Sequence, residues 1–255
     1  MVKDFIKRLF GLDKRAINIQ QLPSQGLFYK NDFKITIKKA SKKDIEEYEK
    51  NYVKDDIGVI IYYIKKIVKK NTTITSPYKY DDIKSIDIIF IFLEIVKLTK
   101  GKAINFVYYN KDTDLEDRIE FDSKYFNYFQ IGKLINYYDY EEKCFVVNGY
   151  KYSLPSVGVE NSLTNFLIIK SNEPDCEIYN EFFYEFTHFL GDKNYLKFSE
   201  IENLLEVFNY DLDKYEMQKV KDIIKMFSPI QRYSLKKGDR IVEMTSKINL
   251  EKIWR

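Results

Sequence analysis

The 255-residue chain is 45% hydrophobic and 32% charged, with a net charge of +3. That balance is the composition of a soluble globular protein rather than a disordered one, with enough chain for a real core. Two cysteines, Cys144 and Cys176, exclude a disulfide framework and fit a reduced, cytosolic site of synthesis.

Met1 to Leu12 is a short amphipathic piece without the long apolar core of a secretory signal. The first clear feature follows it. Leu22-Pro23-Ser24-Gln25-Gly26-Leu27-Phe28-Tyr29 sets a proline and, three residues on, a glycine ahead of an aromatic pair, which is ordinary turn chemistry. Phe33, Ile35 and Ile37 then alternate with Lys34, Thr36 and Lys38, a period of two that predicts a half-buried strand. Ser41, with Asp44 three residues later as a capping-box partner, predicts a helix start.

Ile45, Tyr48 and Tyr52 stripe that helix, and Ile57, Ile60, Ile61, Ile64 and Val68 stripe a second. Ser85 to Lys100 predicts a third, almost wholly buried helix stopped by Gly101. Its β-branched residues leave a strand open, but its length argues for helix. The run from Ile86 to Leu98 is too short to span a membrane and is broken by Asp87, Glu94 and Lys97.

From about 103 to 170 the pattern turns to strands. Ile104 to Tyr109, Arg118 to Phe121 and Lys143 to Val147 are short β-prone runs, and Gly149 to Pro155 continues their character, predicting a small, mostly antiparallel sheet. From about 171 helices return. Tyr179, Phe182, Phe183, Phe186, Phe189 and Leu190 form one stripe, ended by Gly191. Ser199-Glu200-Ile201-Glu202 reads as a capping box ahead of Leu204, Leu205 and Phe208, and Leu212 to Phe227 makes a further helix. Ile230 to Leu235 and Arg240 to Met244 flank a turn and predict a hairpin. The expected fold class is α+β, with an N-terminal module over 1–102, a β-rich region over 103–170 and a helical region over 171–255 that ends in a hairpin.

Charge is unevenly placed. Residues 1–70 hold 17 Lys/Arg against 9 Asp/Glu, which leaves a balance of −5 for the rest. Lys34, Lys38, Lys39, Lys42 and Lys43 surround the strand, and Lys65, Lys66, Lys69 and Lys70 close the second helix. A basic nucleic-acid-binding module over residues 1–70 is one reading, but no recognised module accompanies the charge. A solvated lysine face whose helix-end members complement the helix dipole is the simpler one. Heavy use of Ile, Lys, Asn and Tyr also follows an AT-rich codon bias, so a single tyrosine or lysine carries little weight.

Catalytic chemistry has little to work with. His188 is the only histidine; Glu181 and Glu185 share its helix face, but a di-iron bundle needs two Glu-x-x-His pairs. The acidic run Asp112, Asp114, Glu116, Asp117 and Glu120 lacks the glycine and terminal glutamate of a calcium loop, and reads as an acidic turn between strands. Neither cysteine has a nucleophile's setting, and nine glycines leave no phosphate cradle. No catalytic residue, cofactor or metal ligand is expected.

Turn, strand and capped helix in this order resemble the N-terminal module of T-even-type phage baseplate hub and hub-assembly proteins, which open with Leu-Pro-Ser-x-Gly-x-x-Tyr ahead of an alternating strand. The matching positions are Leu22, Pro23, Ser24, Gly26 and Tyr29, and the likeness covers roughly the first 100 residues. It implies a non-enzymatic tail protein that is a structural component or assembly factor of the central hub, or an assembly chaperone for the tape measure. It also implies partners among hub, tape-measure and tail-tube proteins, and a place in the virion baseplate or, during assembly, in the host cytoplasm. Leu22, Pro23, Ser24, Gly26, Phe28 and Tyr29 would then form an interaction motif. The lysine density after the motif departs from the family.

Overall fold

The computed structural model describes residues 13–52, 56–110, 115–121, 132–147, 149–171, 199–203, 233–237 and 240–244, with Lys197, Gln218, Leu250, Ile253 and Trp254. Within these the chain is α+β, with helices beside small antiparallel sheets.

The first sheet has strands β1 (Lys14–Ile17), β2 (Ile35–Lys38) and β3 (Thr72–Ile74), with β2 in the centre. Its register sets Ile17 opposite Ile35 and Ile35 opposite Ile74. Because strand side chains alternate between faces, Ile35 and Ile37 point into the core while Lys38 stays exposed. The single strand expected from the alternation therefore sits in the middle of three. Its neighbours are too short to show a period of their own.

Helix α1 (Lys42–Asn51) begins with the expected box. The Ser41 hydroxyl accepts from the Asp44 N–H at 3.2 Å, and the Asp44 carboxylate accepts from the Ser41 N–H at 3.3 Å. The other Asp44 oxygen takes a 2.8 Å bond from Lys70 Nζ, so one carboxylate closes the start of α1 against the end of α2 (Ile57–Asn71). Burial alone would raise the Asp44 carboxyl, but the bonds from Lys70 and Ser41 outweigh it and hold the group below its ordinary value. Ser41→Ala should lower the unfolding free energy by about 1 kcal/mol, seen as a shift of urea midpoint at constant slope.

Helix α3 (Ile88–Lys100) is the hub of the core, and Gly101 in the left-handed conformation (φ 64°) ends it. From Phe90 to Val96 every residue is buried, including Glu94, which pairs with Arg15 of β1. Each fully buried Ile, Leu or Phe here contributes roughly 1.5–3 kcal/mol, so this helix anchors whatever packs on it. Leu250 and Ile253 join the same buried cluster. Trp254 meets Phe92 at a centroid distance of 5.6 Å, and the Tyr48 hydroxyl donates to the Leu250 carbonyl at 3.3 Å.

The expected single sheet of the middle region is two. β4 (Asn105–Asn110) pairs with β5 (Leu115–Glu120), and β6 (Tyr138–Asp139), β7 (Cys144–Val147) and β8 (Tyr150–Tyr152) form a separate antiparallel set. A second correction follows, because the β-rich character stops at Tyr152. Helix α4 (Val157–Lys170) occupies the rest of the stretch expected to be β. The Ser156 hydroxyl caps it by accepting from the Val159 N–H at 3.2 Å. Val157, Leu163 and Phe166 are buried while Ile168 and Ile169 are exposed, so apolar residues on two faces blur the helical period.

The C-terminal hairpin forms as expected, from β9 (Tyr233–Lys237) and β10 (Arg240–Met244). The capping box expected at Ser199 is displaced: Ser199 is already helical, and Glu200 reaches back to accept from the Lys197 N–H at 2.8 Å. The stripe from Tyr179 to Leu190 lies outside the described residues, as do Leu204, Leu205 and Phe208.

Candidate functional site

The segment from Leu22 to Tyr29 is a succession of turns. Backbone bonds run from Gln25 N–H to Leu22 at 2.7 Å, from Leu27 to Ser24 at 3.1 Å and from Tyr29 to Gly26 at 3.3 Å. Gln25 (φ 55°) and Gly26 (φ 71°) are both left-handed, which is what lets the chain reverse so tightly. A Cβ on Gly26 would lie 3.2 Å from the Ile19 carbonyl oxygen, so glycine is required for space as well as for φ.

What fixes these turns comes from far along the chain. Asp87, fully buried just ahead of α3, accepts from the Ser24 N–H at 2.8 Å and from the Tyr29 hydroxyl at 2.6 Å. Tyr29 in turn accepts from the Lys84 N–H at 2.8 Å. The result is a clasp: Lys84 N–H to Tyr29 to Asp87, with Ser24 closing the second carboxylate oxygen. Leu22 is fully buried beneath it. The segment around Lys84 also runs antiparallel to residues preceding α4, with Ser85 N–H bonded to Pro155 and Val157 N–H to Ile83 at 2.9 and 2.8 Å. On its other side the turn meets the β6–β8 sheet, where Phe28 lies 5.9 Å from both the Tyr138 and the Phe145 ring, and the Tyr138 hydroxyl bonds the Leu27 carbonyl.

Five of the six expected motif residues, Leu22, Pro23, Ser24, Phe28 and Tyr29, are therefore buried, and Gly26 is half-buried. They are the mortar of a junction between α3, the approach to α4 and the second sheet. What they present outward is a pocket lined by the rims of Phe28 and Tyr29 together with Lys30, Phe33, Tyr78 and Lys84.

Burial raises the Asp87 carboxyl to about 6, although Tyr29, Ser24 and the Lys84 charge pull the other way. Burial, and then the Asp87 charge, lift the Tyr29 hydroxyl well above its ordinary range. Since the folded state holds the Asp87 proton more tightly than the unfolded chain, this group's contribution to stability is full below about pH 4 and is lost as pH rises through 6. The displacement from 3.8 to about 6 corresponds to about 3 kcal/mol. Urea unfolding of the protein and of Asp87→Asn should show it: the stability difference between them falls by roughly that amount from pH 4 to pH 7. A difference that stays flat with pH would contradict the buried, proton-holding carboxyl.

At the lysine-rich helix end, Lys69 and Lys70 are exposed in the last turn of α2, as the sequence suggests, but part of the lysine charge is paired. Lys65 pairs with Glu160 of α4 at 2.7 Å, Lys70 with Asp44 at 2.8 Å, and Lys66 with Glu47 of α1. Lys39 likewise pairs with Asp13 at 2.9 Å and Lys42 with Glu46 at 3.6 Å. Five of the nine lysines named above are thus paired within the fold, which weakens a phosphate-tracking stripe. At the other end of α2, Asp56 caps the helix by accepting from the Val59 N–H at 3.0 Å.

Glu116, Asp117 and Glu120 are not in a turn but in strand β5; Asp112 and Asp114 lie outside the described residues. Glu181, Glu185, His188 and Cys176 also lie outside them, while Cys144 is buried in β7. Among the described residues no group of three potential metal ligands comes together, and no helix is long and apolar enough to cross a membrane. Sequence reasoning missed Asp87, Lys84 and Tyr78; the one available signal was a carboxylate set at the head of an apolar helix. Comparison of the chain with protein-family models, curated proteins and solved structures gave no match.

Proposed function

We propose that this chain is a non-enzymatic protein of a contractile phage tail, acting in the baseplate central hub as a structural component or an assembly factor, with tape-measure assembly as the narrower alternative. One observation carries the reading. Four of the five matched positions of the Leu-Pro-Ser-x-Gly-x-x-Tyr likeness, all but Pro23, serve one built element. Leu22 fills the core, Ser24 and Tyr29 bond Asp87, and Gly26 supplies the left-handed φ. Partner contacts then fall on the surface that the clasp orients, in the virion baseplate or in the host cytoplasm during assembly.

The test is association. A tagged chain expressed together with the complete tail gene cluster should retain at least one hub, tape-measure or tube protein through purification at moderate salt. Recovery of the chain alone, with every tail protein present in the same cells, would contradict the proposal.

A further inference from the structure

The outer face of the first sheet carries a cationic pattern that the clasp does not use. Its register sets Lys14 of β1 directly opposite Lys38 of β2, and sets Ala16 and Thr73 on either side of Thr36. Lys34 lies four residues before Lys38, so the alternation of the strand puts it on the same face. Lys14, Lys34 and Lys38 are exposed, and among the described residues no carboxylate pairs with any of them. Two carboxylates stand at the margins, and each has a donor of its own. Asp13 takes Lys39 Nζ at 2.9 Å, and Asp32 accepts from the Tyr78 hydroxyl at 2.6 Å. Arg15, the other cation of β1, turns to the opposite face and pairs with Glu94.

Register, spacing and floor restrict the occupant. Like charges directly opposite one another in an antiparallel pair, with Cβ atoms about 4.5–5.5 Å apart, destabilise the pair. An anion seated between Lys14 and Lys38 offsets that repulsion, and Lys34 offers a second contact about 13 Å along β2, at roughly 3.4 Å per residue. Between the two contacts the floor is Ala16, Thr36 and Thr73, small enough for another backbone to approach. An extended chain covers the same distance of about 13 Å in four residues and returns its side chains to one face at every second residue. A helix advances only about 6 Å over four residues. Single-stranded nucleic acid is held by aromatic platforms as well as cations, and none of the three floor residues carries a ring. We propose that the outer face of β1, β2 and β3 receives an extended segment of a partner protein bearing two carboxylates four residues apart, one seated between Lys14 and Lys38 and the other at Lys34. The proposal deepens the interaction reading above and rests on it for the chain's role in protein contact.

The experiment is an NMR titration of the ¹⁵N-labelled full chain at low salt with three capped peptides and with oligothymidylate. The peptides are Ac-Glu-Ser-Gly-Ser-Glu-NH₂, its uncharged counterpart Ac-Gln-Ser-Gly-Ser-Gln-NH₂, and Ac-Glu-Glu-Ser-Gly-Ser-NH₂, which has the same charge at the wrong spacing. The first should shift the amides of Ala16, Lys34, Thr36, Lys38 and Thr73 saturably. The glutamine peptide should bind at least about 5-fold more weakly, having lost its exposed ion pairs, and the adjacent-glutamate peptide at least about 2-fold more weakly, since it reaches one end alone. Lys38→Glu should weaken the spaced peptide at least about 10-fold without lowering the melting temperature, because it sets opposite charges across from one another in β1 and β2. Lys50→Glu on α1 should leave the affinity unchanged. Equal binding of the glutamate and glutamine peptides, equal binding of the two acidic peptides, or indifference to Lys38→Glu would each overturn the assignment. So would oligothymidylate binding the same amides more tightly than the spaced peptide, which would mark a nucleic-acid surface. Because the titration uses the chain alone, it can fail while co-purification with tail proteins succeeds, and the reverse.

Discussion

Tyr29→Phe is expected to lower the unfolding free energy by about 3–5 kcal/mol, although it removes a single oxygen atom. That oxygen does two things at once: it donates to Asp87 and accepts from the Lys84 N–H, both in buried surroundings. Losing a hydrogen bond to a charged group costs about 1.5–3 kcal/mol, and leaving a buried N–H without its acceptor costs about 1–3 more. The variant should also push the Asp87 carboxyl higher still, since the Tyr29 hydroxyl is one of the groups holding it down. Equilibrium urea unfolding reads the effect. Tyr78→Phe is the control, because its hydroxyl bonds Asp32 at an exposed site and its loss should leave the midpoint nearly unchanged. A Tyr29→Phe protein as stable as the parent would mean that the clasp does not hold the turn.

Gly26→Val is the second large effect, and its cause is different. At φ 71° a β-branched residue is strained, which costs about 1–3 kcal/mol. The new Cβ also meets the Ile19 carbonyl oxygen at 3.2 Å, and that backbone is itself fixed in a short 3₁₀ turn capped by Asn18. The turn must therefore shift, and with it the aim of Phe28 and Tyr29. The helical core around α3 does not depend on Gly26, so the variant should still fold, with a lowered melting temperature. Loss of cooperative unfolding altogether would show that the core around α3 depends on this turn after all.

How much of this was legible in the sequence follows from the range of each interaction. Strand β2 announces itself by alternation, α1 by Ser41 and Asp44, and α3 by an apolar run ended at Gly101, because those signals lie within a few residues of one another. β1 and β3 do not, since strands of four and three residues owe their form to the partner they pair with. Helix α4 hid behind Val157, Val159, Ile168 and Ile169, whose β-branching imitates a strand and whose distribution spoils the period. The motif was visible as a turn, but its meaning was not. Asp87 reaches Ser24 and Tyr29 across 63 and 58 positions, and in the sequence it reads only as an interruption of an apolar helix. The pocket is assembled from the same distance, with Lys143 and Tyr78 contributed by segments that carry no shared pattern.

The central proposal is that this chain serves tail assembly and does so through the turn from Leu22 to Tyr29, and complementation tests it most directly. A phage lacking the gene would be supplied with the parent chain, with Gly26→Val, or with a Lys50→Ala control on the exposed face of α1, at matched soluble levels. The account predicts full particle yield for the parent and the control, and a loss of at least about 10-fold for Gly26→Val at a temperature where that variant remains folded. Full complementation by Gly26→Val would contradict it and leave the turn as scaffold alone.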